Sequence, residues 1–104
     1  MATQIRGIYP MLYALFGADG RLDRGAFSAQ VEASVRAGSH GLAVGGLATE
    51  CNKLSLSEKR DLAAWTCETA AGRVPVSVTI TDNTVAGQIE AVRHAADHGA
   101  GWVV

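Results

Sequence analysis

The sequence predicts an α/β fold of parallel strands joined by helices, and three observations carry that prediction. Short apolar runs alternate with longer segments of helical periodicity. Each helical segment closes on a glycine, at Gly38, Gly72 and Gly99. Each also opens on residues suited to cap it, at Asp23, at Ser55 and within Thr81 to Thr84. Strands separated by helices need crossover connections, which make the strands parallel neighbours.

Residues 7–13 are apolar and read as a first strand buried on both faces. Gly17, Ala18, Asp19 and Gly20 follow as a turn by composition. Asp23 is a good N-cap for a helix running to Ala37, in which Phe27, Val31 and Val35 share one face. Gly38 stands where a left-handed cap belongs. The second strand is Gly41, Leu42, Ala43, Val44 and Gly45, followed by a long loop over residues 46–54.

Ser55 with Glu58 makes a capping-box signature, and Leu62, Trp65, Thr66 and Thr69 trace a mostly apolar face up to Gly72. Residues 74–80 form the third strand. Thr81, Asp82, Asn83 and Thr84 offer caps to a third helix, whose Ile89, Val92 and Ala96 point one way. Gly101, Trp102, Val103 and Val104 begin a fourth strand. The short apolar edge this would leave is one that complete small domains avoid, so the expectation is a single partial domain over residues 1–104, the first part of a larger unit. Periodicity alone leaves two homes for such a unit, an open doubly wound sheet or the opening of a (βα)8 barrel.

Composition narrows the function. A chain of 104 residues, 48 % hydrophobic and 18 % charged, suits one globular domain. A net charge of −1 with no Lys/Arg cluster excludes an electrostatic nucleic-acid binder. No run approaches the roughly 18 apolar residues of a membrane helix. The apolar run over residues 8–16 has the length of a signal-peptide core, but the turn at Gly17 to Gly20 is no cleavage site, so a cytoplasmic location is expected. Cys51 and Cys67 then read as free thiols.

Three segments carry a resemblance. Gly7-Ile8-Tyr9-Pro10-Met11-Leu12-Tyr13-Ala14-Leu15-Phe16, with Asp19-Gly20-Arg21-Leu22-Asp23, resembles the opening of the dihydrodipicolinate synthase / N-acetylneuraminate lyase family of class I aldolases. Gly41-Leu42-Ala43-Val44-Gly45-Gly46-Leu47-Ala48-Thr49-Glu50 is similar to that family's glycine-containing loop ending in glutamate. Gly72-Arg73-Val74-Pro75-Val76 resembles the approach to its third strand. The resemblance implies the N-terminal part of a (βα)8 TIM barrel, about three and a half βα units with parallel strands. In that setting Val44, Val76 and Val78 are expected to face the barrel interior.

The resemblance also implies a chemistry. Members of the family form a Schiff base between a lysine on a later strand and pyruvate or another 2-keto acid, assisted by a tyrosine from the strand at which this chain stops. Such a lysine must shed its proton to attack. Lys53 and Lys59 are the two lysines here and neither matches that position, so no catalytic residue is assigned. The family's loop usually presents two adjacent hydroxyl residues to the substrate carboxylate, then a glycine and the glutamate. Leu47, Ala48, Thr49 and Glu50 stand at those places, and with Gly46 they are the expected substrate-binding residues. Ala14 and Leu15 replace the family's Thr-Pro after the first strand.

The implied activity is that of a lyase, carbon–carbon or hydro-lyase, on a small-molecule 2-keto acid, without a cofactor, which this chain does not complete alone. Two other classes remain: a non-catalytic half-barrel that assembles as a homo-oligomer or with a complementary barrel fragment, and a small 2-keto acid binding protein.

Other candidate sites read as structural. His94 and His98 at helical spacing with Glu90 have a geometry that can bind zinc, but no third ligand or zincin glutamate accompanies them, so a solvated helix C-terminus is expected. Cys51 falls on the face where a barrel places its chemistry, yet no histidine beside it in sequence could act as base. Glu50 reads as a carboxylate that accepts backbone N–H bonds and fixes its loop rather than as a general base. Capping is expected to account for Asp82, Asn83 and Thr84, and Trp65 and Trp102 read as packing residues.

Overall fold

A computed structural model describes residues 4–104. Its helices are α1 (Arg24–Arg36), α2 (Leu56–Ala70) and α3 (Val85–Asp97), and its strands β1 (Leu42–Val44), β2 (Val76–Val78) and β3 (Trp102–Val103). The strands lie side by side in chain order, all parallel, with Leu42 opposite Val76, Ala43 opposite Ser77, and Ser77 in turn opposite Trp102. Among the described residues no helix is long and apolar enough to cross a membrane.

The first apolar run lies beside β1 without becoming a strand. It makes one parallel bridge, Met11 to Ala43. The Leu12 N–H donates to the Ala43 carbonyl at 2.8 Å and the Ala43 N–H to the Pro10 carbonyl at 3.0 Å. Pro10 has no N–H to continue the ladder. The Ile8 N–H is drawn off to the His40 Nδ1 at 3.0 Å. Ile8 and Tyr13 are exposed rather than buried on both faces, because this run has a neighbour on one side only.

The caps form as local chemistry dictates. Asp23 accepts from the Ala26 N–H at 3.0 Å and starts α1. Ser55 and Glu58 close a reciprocal capping box on α2, at 3.1 and 2.8 Å. Thr84 accepts from the Gly87 N–H at 3.0 Å. Gly38 adopts a φ of 90° just past α1. At the end of α2 the left-handed position falls on Ala71, with a φ of 50°, one residue before Gly72.

The core lies between the sheet and the helices. Phe27 and Val31 of α1, Leu62, Ala63, Cys67 and Ala70 of α2, and Leu42, Val44, Val76 and Val78 of the sheet form one buried cluster. The three valines therefore point toward the helices and not, as expected, into a barrel interior. Side chains alternate across a strand, so Ala43 and Ser77 take the opposite face. Trp65 packs in a tilted pair with Phe27 at 6.3 Å, under the Arg24 guanidinium at 5.4 Å. Trp102 meets Tyr9 edge to face at 5.6 Å. Arg73 fastens the turn after α2 to α1 through Glu32 at 2.6 Å.

On the third helix the shared face of larger apolar residues lies outside. Ile89, Val92 and Ala96 are exposed, and the buried residue is Ala95. Small side chains at Gly87, Ala91 and Ala95 are the ones turned inward, which lets the helix come close to its neighbours, and the larger apolar residues are left outside.

Candidate functional site

Where β1 ends, the chain makes two glycine-dependent moves that place the following loop. Gly45 has a φ of 93°, a region L side chains rarely adopt, and a Cβ there would lie 3.0 Å from the Thr79 carbonyl oxygen. Gly46 is buried, and a Cβ on it would run into the Met11 methyl at 2.5 Å and approach Thr79 Oγ1 at 3.5 Å. The loop thus leaves the sheet between the first segment and the end of β2. This is the C-terminal end of parallel strands, where such folds keep their chemistry.

Residues 47–50 turn tightly, with the Glu50 N–H donating to the Leu47 carbonyl at 2.9 Å. Cys51–Lys53 then form a short 3-10 helix leading to α2. Thr49 is completely buried. Its hydroxyl donates to the Leu12 carbonyl at 2.5 Å and accepts from the Gly45 N–H at 3.1 Å. Leu47 stands 91 % exposed, and Ala48 is exposed beside it. Among the described residues, the backbone N–H groups of Gly46, Leu47, Ala48 and Thr49 find no protein acceptor. Consecutive unpaired N–H groups in a turn form a concavity suited to an anion.

Glu50 does not fix the loop as expected. Its backbone is left-handed, with φ 59° and ψ 47°, and its exposed carboxylate meets Lys53 Nζ at 3.3 Å rather than any backbone N–H. The fixing falls to Thr49, whose sequence signal was a single hydroxyl in an otherwise apolar stretch leaving a strand.

The remaining candidates lie apart from this loop. Lys53 is occupied with Glu50 on the surface. Lys59 sits on α2 beside a partly open cavity of about 30 Å³, lined also by Val44, Ala63, Val78 and His94 of α3. That volume admits about one or two waters and no keto acid. Burial, with a smaller contribution from Glu68, pushes the Cys67 thiol up and keeps it protonated in the core. Cys51 is half-buried, and both cysteines are free.

His94 and His98 stack at 4.3 Å, and His98 Nδ1 bonds the His94 carbonyl at 2.8 Å. Glu90 turns to Arg60 at 3.3 Å. Burial lowers the His94 pKa, helped by the nearby His98 and Arg60 charges. Only Thr84 of the 82–84 trio caps through its side chain, while the Asp82 Oδ2 is buried without a partner.

Comparison with known proteins places this loop in context. The model of the dihydrodipicolinate synthetase family matches residues 4–104. A 4-hydroxy-tetrahydrodipicolinate synthase of Phenylobacterium zucineum is 39 % identical over 95 residues, spanning 91 % of this chain and 32 % of that protein. The dihydrodipicolinate synthase structure from Bacteroides thetaiotaomicron superposes with a TM-score of 0.91 at 33 % identity, covering 99 % of this chain and 35 % of that one. YagE of Escherichia coli K12, a member of the dihydrodipicolinic acid synthase family solved in complex with pyruvate, superposes at 0.87 with 30 % identity, over 93 % of this chain and 33 % of its own. The chain spans about a third of the length of these relatives, and its α/β architecture is the N-terminal part of their barrel.

Proposed function

The chain belongs to the dihydrodipicolinate synthetase family, and we propose that its 46–49 loop binds the carboxylate of pyruvate or a related 2-keto acid as one part of a lyase site. The observation that carries this reading is the row of four backbone N–H groups without acceptors, at the C-terminal end of parallel strands. Backbone dipoles need no particular side chain, so the cradle survives Leu47 and Ala48 at the places where the family resemblance implies hydroxyls. The absent hydroxyls each forgo about 1.5–3 kcal/mol, the usual value for a hydrogen bond to a charged group. Leu47 replaces them with apolar surface at the mouth of the loop.

The carboxylate fixes one end of the substrate and leaves the ketone carbon for a nucleophile. In Schiff-base chemistry an unprotonated amine adds to that carbon and water leaves. Lys53 and Lys59 do not serve, since one is ion-paired on the surface and the other lies beside α3. Residues 4–104 therefore bind and orient, and the amine comes from outside them.

Amide NMR of the chain during a pyruvate titration tests the reading. Saturable shifts at Gly46, Leu47, Ala48 and Thr49, absent with acetone, are expected. Equal responses to the two ketones, or none to pyruvate, would refute it. Borohydride reduction followed by mass spectrometry is expected to find no adduct on Lys53 or Lys59.

An assembly role has one observation in its favour. Val85, at 72 % exposure, and Ile89, at 47 %, stand with Val92 as an apolar stripe along α3. Association through that stripe makes the native mass rise with concentration, and Val92→Glu abolishes the rise; a mass fixed at 10.8 kDa would remove this reading.

A further inference from the structure

We propose that Thr49 is the positioning residue of the carboxylate cradle, an inference that rests on the function proposed above. The Thr49 side chain is wholly buried, and its hydroxyl joins three separate pieces of backbone. It donates to the Leu12 carbonyl in the first segment and accepts from the Gly45 N–H at the end of β1, while its own main chain belongs to the loop. A hydroxyl is the one small group able to donate and accept at once, so no apolar residue of the same size replaces it.

The point to which it ties the loop is itself held. The Leu12 N–H donates to the Ala43 carbonyl at 2.8 Å, and Leu12 is buried in the core. The next residue is gripped by α1. Gln30 accepts from the Tyr13 N–H at 2.8 Å and donates to the Tyr13 carbonyl at 2.9 Å, completing both backbone bonds that a neighbouring strand would have made. The loop is therefore referred, through Thr49, to a strip of backbone fixed from β1 on one side and α1 on the other.

The donors themselves are left free by the way the turn closes. The Glu50 N–H donates to the Leu47 carbonyl and the Cys51 N–H to the Gly46 carbonyl, so the N–H groups of residues 46–49 are not used in the closure and remain for a ligand. The Thr49 hydroxyl, taken up by the Leu12 carbonyl and the Gly45 N–H, touches no substrate atom in this arrangement. Its effect is to hold the donors in one geometry before the anion arrives, and pre-ordering of this kind raises affinity by lowering the ordering cost of binding.

The experiment compares Thr49→Ser, Thr49→Cys and Thr49→Val by pyruvate titration, followed through the 46–49 amide signals at a temperature where each variant is folded. Thr49→Ser retains the donor and acceptor and is expected to bind like the parent. Thr49→Val keeps the shape and loses the hydroxyl, and is expected to bind on the order of tenfold more weakly. Its Gly45 amide should also exchange with solvent faster. Should Thr49→Val fail to fold, Thr49→Cys carries the comparison, since a thiol of similar size bonds more weakly and is expected to give an intermediate loss.

Equal affinity across the hydroxyl and non-hydroxyl variants would overturn the proposal, whatever happened to their stability. A purely structural Thr49 gives that result, with lowered melting temperatures and unchanged affinity. Failure of the parent chain itself to respond to pyruvate would overturn the carboxylate reading first and this role with it.

Discussion

Adjacent glycines at the end of β1 respond differently to the same added methyl group. Gly45→Ala puts an L residue at a φ of 93° and its Cβ 3.0 Å from the Thr79 carbonyl oxygen. That oxygen belongs to backbone held by the Thr79 N–H donating to the Val44 carbonyl at 2.9 Å. The unfavourable φ costs about 1–3 kcal/mol, and a contact with backbone that cannot retreat adds about 1 kcal/mol or more. The loss is thus about 3 kcal/mol, a large share of the ~5–15 kcal/mol that stabilises a typical domain.

Gly46→Ala collides more closely, at 2.5 Å, but with the end of the flexible Met11 side chain, and its φ is not among the left-handed ones. The thioether swings away, for a loss of about 1 kcal/mol. Urea unfolding checks the pair. The Gly45→Ala midpoint should fall by about 1–3 M, the Gly46→Ala midpoint by a fraction of that. Equal midpoints, or a worse Gly46→Ala, would refute the argument that backbone fixity outweighs closeness of approach.

Two further outcomes are expected. Phe27→Ala empties a fully buried site between α1 and Trp65 and should lower stability by about 3–5 kcal/mol in urea; a loss under about 1 kcal/mol would mean that α1 does not depend on this contact. Burial holds the His94 pKa below its ordinary 6.5, so the folded chain binds fewer protons than the unfolded one just below that pH. The stability this confers is complete above 6.5 and is lost as pH falls through the lowered value. His94→Gln should flatten that part of the urea-midpoint profile, and an unchanged profile would assign the slope to other groups.

Capping chemistry was readable from the residues because its range is a single turn. Asp23 and Ser55 with Glu58 each act on a backbone N–H three positions away, and so does Thr84, one of four candidate caps before α3. The position of the candidate loop was also legible, since Gly45 and Gly46 follow an apolar strand. What the sequence hid was direction. Val44, Val76 and Val78 belong to runs apolar enough to suit either face of a sheet, and nothing local says which face the helices cover. On α3 the residues showed that Ile89 and Val92 share a face but not which way it turns, and close packing selected Ala95. Glu50 looked the better loop anchor by charge, but a buried pin has to be small and able both to donate and to accept a hydrogen bond, which Thr49 does. Pro10 carried the sign that the first run would not pair fully, a missing donor in mid-run.

The arrangement of valines on one side of the sheet and Ala43, Ser77 and Thr79 clear of them separates two kinds of tolerance to change. Substitutions at the valines are answered by the helices and registered as loss of folding. Substitutions at the intervening positions meet few of those helix contacts, so they can alter what approaches the loop while the scaffold keeps its footing. Alternate residues of one strand thus divide the work between holding the fold and shaping the approach to the loop.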